Sequence, residues 1–303
     1  MRLAWILVAI APACGSVSDN ADVDAPVAPP LDAAPDAPGQ GRCNPTAAFG
    51  AATPLSAVNT SVDDFSLALT TDEKSAFLSR VVQPPGASST IVSTQRASSS
   101  AAFDVPSTAK TDAINNAAGD EFGPSPTSDG LLLYFHRQNT DGISIVVASR
   151  ADPSEPFASQ SQVSVDGTGL QNALSATISA DGQTLYWLDF NDFGKVFAAT
   201  RGLTPSAFTN KRAASTIAIA GAPVLSTDEL TLYYAVGNGD DVLVSTRASK
   251  TATFGVGVPV GNVNSAALDN PVAVTRDDCE LYIASTRSGG TGGFDIWIAR
   301  RGN

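Results

Sequence analysis

The 303-residue sequence predicts an all-β chain closed into a five-bladed β-propeller of four-stranded blades. Three observations carry that expectation. One pattern recurs five times: a turn built on Asp, a Leu-Tyr-like strand, a hairpin, and an apolar strand ending in Arg. Its turn aspartates (Asp72, Asp129, Asp181, Asp228 and Asp277) are 57, 52, 47 and 49 residues apart, the length of a four-stranded blade. Second, runs such as Leu132-Leu133-Tyr134-Phe135 and Leu185-Tyr186-Trp187 are apolar on both faces, so each must be sandwiched between neighbouring sheets. Third, helical periodicity is nearly absent.

Each element has its own justification. The turns Thr71-Asp72-Glu73, Ser128-Asp129-Gly130, Ala180-Asp181-Gly182, Thr227-Asp228-Glu229 and Arg276-Asp277-Asp278 join an inner strand to a second one, with Asp bonding its own backbone. Five residues after each Asp stands an aromatic: Phe77, Tyr134, Tyr186, Tyr233 or Tyr282. Asn139-Thr140-Asp141-Gly142, Asn191-Asp192-Phe193-Gly194 and Asn238-Gly239-Asp240-Asp241 are hairpin turns. The third strand ends at Arg96, Arg150, Arg201, Arg247 or Arg301, and seven residues beyond the first four of these comes Phe103, Phe157, Phe208 or Phe254. The fifth repeat stops at Asn303 without its Phe, but Arg42 and Phe49 show the same spacing of seven at the front. The segment from Phe49 to Val58 is therefore expected to supply the outer strand of the last blade and close the ring. Cys279 opens the second strand of that blade and Cys43 lies just past the end of its third strand. A Cys43–Cys279 disulfide would lock the closure, the alternative being two unpaired thiols.

The front of the chain reads as an address. Met1-Arg2 followed by the apolar run Leu3 to Ala11 is too short to span a bilayer and has the form of a secretory signal peptide, residues 1–13. Ala11-Pro12-Ala13-Cys14 resembles a bacterial lipobox, which implies lipidation of Cys14 and an outer-membrane lipoprotein. Cleavage after Ala13 leaving an unmodified Cys14 is the alternative. Residues 14–41 are rich in Ala, Pro and Asp and cannot bury enough apolar surface to fold, so a disordered tether is expected before a propeller at 42–303.

Ser179-Ala180-Asp181-Gly182-Gln183-Thr184-Leu185-Tyr186 and Phe294-Asp295-Ile296-Trp297-Ile298-Ala299-Arg300 resemble the WD-like propeller repeats of TolB-type periplasmic proteins. The resemblance runs through all five repeats. It implies the fold and a cell-envelope setting rather than a particular ligand.

Net charge of −12 makes nucleic acid a poor partner, and one His with three Cys excludes multi-His metal centres and Cys-rich zinc modules. The lone His136 occupies a slot filled by Ser79, Leu188, Ala235 and Ala284 in the other repeats, so it reads as a packing residue rather than a catalytic base. Asp63, Asp64, Asp120, Glu121 and Asp269 fall just before first strands, where a propeller's channel opens, and form the candidate ligand-binding set. No cofactor is expected, calcium being the ion that such carboxylates would hold. A monomeric, non-catalytic scaffold for an envelope protein, a peptide or a glycan is the function expected, touching the membrane only through its lipid anchor. The alternative is a five-bladed glycoside hydrolase using Glu121 with Asp64 or Asp269.

Overall fold

A computed structural model describes residues 42–81, 88–115, 119–237 and 241–303. The signal peptide, Cys14 and the tether lie outside the described residues, as do 238–240 of one expected hairpin turn. The described chain is all β, apart from one short 3-10 turn at Phe190–Asp192, and forms five antiparallel blades around a central channel. Inner strands are Asp63–Leu69, Asp120–Pro126, Ala173–Ile178, Ala220–Leu225 and Asp269–Val274. The last blade takes its outer strand, Thr53–Pro54, from the front of the chain, paired antiparallel with Ile298 and Trp297. Cys43 and Cys279 are disulfide-bonded, with Cα atoms 5.6 Å apart. The expected five blades and their closure are present.

The repeated residues form one device, five times over. Thr70, Thr127, Ser179, Ser226 and Thr275 each donate a hydroxyl to the turn Asp two residues on, at 2.6–2.8 Å. Each Asp also accepts the backbone N–H two residues beyond itself. The next residue after Asp is left-handed in every turn, at φ 56–69°: Glu73, Gly130, Gly182, Glu229 and Asp278. Glycine stands at two of them because only glycine takes that conformation without steric cost.

In three blades the spacing of seven between Arg and Phe makes a cation–π clamp, while among the described residues no such contact joins Arg201 to Phe208. The guanidinium carbon lies 4.4 Å from the Phe103 ring centroid for Arg96, 4.5 Å from Phe157 for Arg150 and 4.4 Å from Phe254 for Arg247. Over Phe49 the clamp is made by Arg301, at 3.9 Å and closing the ring, and not by Arg42 seven residues earlier, which pairs with Asp277 and Glu73. Three of the repeat arginines also reach the preceding blade. Arg201, Arg247 and Arg301 donate to the hydroxyls of Tyr134, Tyr186 and Tyr233. Buried side chains from adjacent blades, such as Tyr134 with Trp187 and Leu78 with Tyr282, fill the space between sheets.

Two blades depart from four plain strands. The first has three, Asp63–Leu69, Ser75–Val81 and Ser89–Gln95, and its outer edge is reduced to a bridge between Ser93 and Ser107. Pro106 has no N–H to extend a ladder, and the side chains of Thr111 and Asn115 take over the backbone groups of Ile91 instead. The third blade gains a short hairpin, Ser164–Val165 with Thr168–Gly169, against its long outer strand Ala207–Ala218.

Candidate functional site

Inner strands begin at one end of the channel, opposite the Asp turns. Three of the candidate carboxylates are used there in a repeated cassette. Asp64, Glu121 and Asp269 are fully buried and ion-paired to Arg80 at 2.7 Å, Arg137 at 2.7 Å and Arg287 at 2.5 Å. Each arginine also donates to a carbonyl on the loop entering its blade: Val58, Ile114 and Val263. The next residue, Asn59, Asn115 or Asn264, pairs its amide with both backbone groups of a third-strand residue, as a strand neighbour would. Thr60 and Ser265 then cap Asp64 and Asp269 through backbone N–H and hydroxyl. Burial pushes the Asp64 carboxyl up, against the downward pull of Arg80 and Thr60. The cassette fixes where three of the five inner strands start. Its signal in the sequence is Val58-Asn59-Thr60, Ile114-Asn115 and Val263-Asn264-Ser265 upstream of each acid.

The remaining two carboxylates accept backbone N–H groups, Asp63 from Phe294 at 3.0 Å and Asp120 from Ser89 at 2.7 Å. None of the five is among the residues that line the cavity at this mouth. Among the described residues no group of three His, Cys, Asp or Glu side chains is placed to hold a metal ion.

The cavity itself, about 480 Å³, is walled by residues near the start of all five inner strands. Its rings are Phe65, Phe122, Phe294 and His136; its polar side chains include Gln138, Asn270 and Ser66. Phe65 and Phe122 lie 5.3 Å apart, and Phe122 stacks on His136 at 5.2 Å and 19°. Every inner strand shifts register at this depth, between Asp64 and Ser66, Phe122 and Ser125, Leu174 and Thr177, Ala220 and Val224, and Pro271 and Ala273. Such bulges re-aim side chains, and here they turn one layer of residues into the mouth. Gly123 and Gly221 take left-handed backbone in the bulges, and so does Ser175 at φ 50°, a conformation that costs a non-glycine residue on the order of 1 kcal/mol.

His136 explains what Ser175 gains. The Ser175 N–H donates to His136 Nδ1 at 3.2 Å, just as the Gly123 N–H donates to Ser79 Oγ at 3.1 Å one blade earlier. The slot that reads as packing in the sequence is, in these two blades, an acceptor for the next blade's bulge. Burial lowers the imidazole to about 3, so it is neutral, and accepting at Nδ1 places its proton on Nε2. The mouth aromatics were missed in the sequence, although Phe65 and Phe122 each directly follow a cassette acid.

No family model and no curated protein sequence matches the chain. Solved structures do. It is similar to the GH43_1 enzyme from Xanthomonas citri complexed with xylotriose, with TM-score 0.60 at 14% identity over 82% of this chain and 89% of that one. The GH43 beta-xylosidase/alpha-arabinofuranosidase CoXyl43 from a compost microbial metagenome, in complex with xylotriose, gives 0.54 at 13% identity over 84% and 94%. The alpha-L-arabinofuranosidase PaAbf62A from Podospora anserina, in complex with cellotriose, gives 0.53 at 13% over 86% and 98%. At such identities the likeness establishes the fold.

Proposed function

We propose that the protein is a carbohydrate-binding propeller of the bacterial cell envelope that recognises a neutral oligosaccharide at its channel mouth without cleaving it. The observation that carries this reading is the mouth wall, which presents aromatic rings beside amide and hydroxyl side chains. Rings of this kind offer an apolar face to a sugar ring, and amides match its hydroxyls. The bound xylotriose and cellotriose of the fold neighbours support a glycan over a peptide or protein as partner. Lipidation at Cys14 and an outer-membrane location belong to the same proposal. Arg42 and Cys43 are tied to Asp277 and Cys279, at the turn end of the channel and away from the mouth.

The fold likeness to hydrolases favours a second reading, hydrolysis through Glu121 with Asp64 or Asp269. A glycosidase needs two carboxylates flanking the scissile bond, roughly 5–9.5 Å apart and open to substrate. Here each of these acids is buried and engaged by an arginine. Calorimetric titration with xylotriose and cellotriose, with chromatography of the same mixtures, separates the two. Binding with intact sugar is expected. Sugar cleavage that Glu121→Gln abolishes would establish the hydrolase, and neither binding nor cleavage would sink both.

A further inference from the structure

We propose that His136 contacts the ligand directly, its Nε2–H being a fixed hydrogen-bond donor to an uncharged acceptor oxygen in the mouth cavity. This rests on the carbohydrate reading above and names the residue that selects within it.

Four observations converge on His136. It lines the cavity yet is only 6% exposed, so its position is built rather than incidental. Its ring is held on one face by Phe122, and its Nδ1 is consumed by the Ser175 N–H. The other nitrogen, Nε2, has no hydrogen-bond partner among the described residues. The Ser175 backbone is held left-handed to make the Nδ1 contact, and strain of that kind collects where a structure over-determines a functional group.

The chemistry then constrains the ligand. A neutral imidazole locked as the Nε2–H tautomer can donate but cannot accept at that atom, and it brings no charge into the cavity. With Asn270 and Gln138 as the amides nearby and no carboxylate among the described residues of the wall, the site suits a hydroxyl or ring oxygen of a neutral sugar. A uronic acid would have to desolvate its carboxylate against a wall whose described residues carry no charge, which is costly.

The two nitrogens can be tested apart. In His136→Asn the amide oxygen can replace Nδ1 and keep the Ser175 contact, while nothing replaces Nε2–H. In His136→Gln the amide nitrogen can stand in for Nε2, while the Ser175 N–H loses its acceptor. His136→Ser copies the residue that fills this slot in the first blade and serves if the others fold poorly. Titrations of the protein with xylotriose, cellotriose and a galacturonate trimer are read beside thermal melting. The expected result is binding of a neutral trisaccharide weakened about tenfold in His136→Asn with little change in Tm, and largely restored in His136→Gln despite a lower Tm. Unchanged affinity in His136→Asn and His136→Ser overturns the role of His136 and leaves the carbohydrate site standing. Preference for the galacturonate trimer overturns the neutral-ligand assignment. Failure of the unmutated protein to bind any of the three removes the carbohydrate reading, and this inference with it.

Discussion

Single residues show where the repeated pattern is incomplete, and those places make predictions. Arg201, Arg247 and Arg301 each find a tyrosine hydroxyl on the preceding blade, but Arg150 meets Phe77, 5.8 Å from its ring, and its buried Nη2 has no partner among the described residues. A cavity of about 170 Å³ borders both side chains. Phe77→Tyr is expected to stabilise the protein by about 1 kcal/mol, seen as a raised Tm, because it gives a buried donor its acceptor. Asp278 is the converse case. It holds the left-handed turn position at φ 56°, its buried Oδ1 has no partner among the described residues, and burial pushes its carboxyl up to about 6. The folded state therefore binds more protons than the unfolded state between about pH 4 and 6. The contribution of this group is present at low pH and lost as pH rises through 6. Asp278→Gly suits the backbone and removes the carboxylate. Allowing for solvent screening, it should add about 1 kcal/mol at pH 7 and much less at pH 4, measurable by denaturant melts at the two values.

At the level of elements, the cassette that starts an inner strand has a distinct energetic signature. Removing one member of a buried ion pair leaves an uncompensated charge, so Arg80→Leu is expected to cost roughly 3–5 kcal/mol. Adding Asp64→Asn should recover most of that loss, because the amide oxygen can still accept from Thr60 while the stranded charge is gone. A chemical-denaturation double-mutant cycle measures the coupling. If Asp64 instead served a ligand in the channel, the single and double variants would differ little in stability. The same elements show how far the sequence could be read. Turn Asp, aromatic, terminal Arg and the Phe that follows recur at fixed spacing; the Asp makes its hydrogen bonds in all five turns, and an Arg clamps a Phe in four blades. The mouth was less legible, for a physical reason. Acids at strand starts look alike in one dimension whether they face a channel or an arginine across the sheet. Arg80 and Arg137 pair in register with Asp64 and Glu121, a relation fixed only once the bulge at each inner strand is known.

The whole molecule depends on closing its ring. Phe49 beneath Arg301, the Thr53–Pro54 strand and the Cys43–Cys279 bond all join the front of the chain to its last blade. The two cysteines are 236 residues apart, a loop for which the chain-entropy model gives a stabilisation of about 5.5 kcal/mol. The Cys43→Ser/Cys279→Ser variant should melt well below the parent and exchange amide hydrogens faster in the last blade than in the third. Equal loss of protection in all blades would mean that the closure is not the weak point. A closed ring also keeps five inner strands converging on one rigid mouth, and the proposed function needs that rigidity. The most direct measurement is a crystal structure of the protein soaked with xylotriose or cellotriose. The sugar is expected intact in the mouth, one ring against Phe65 or Phe122 and an oxygen within hydrogen-bond distance of His136 Nε2. A sugar bound elsewhere, or a glycosidic oxygen held between Glu121 and a second carboxylate freed from its arginine, would contradict a non-catalytic carbohydrate site at the mouth.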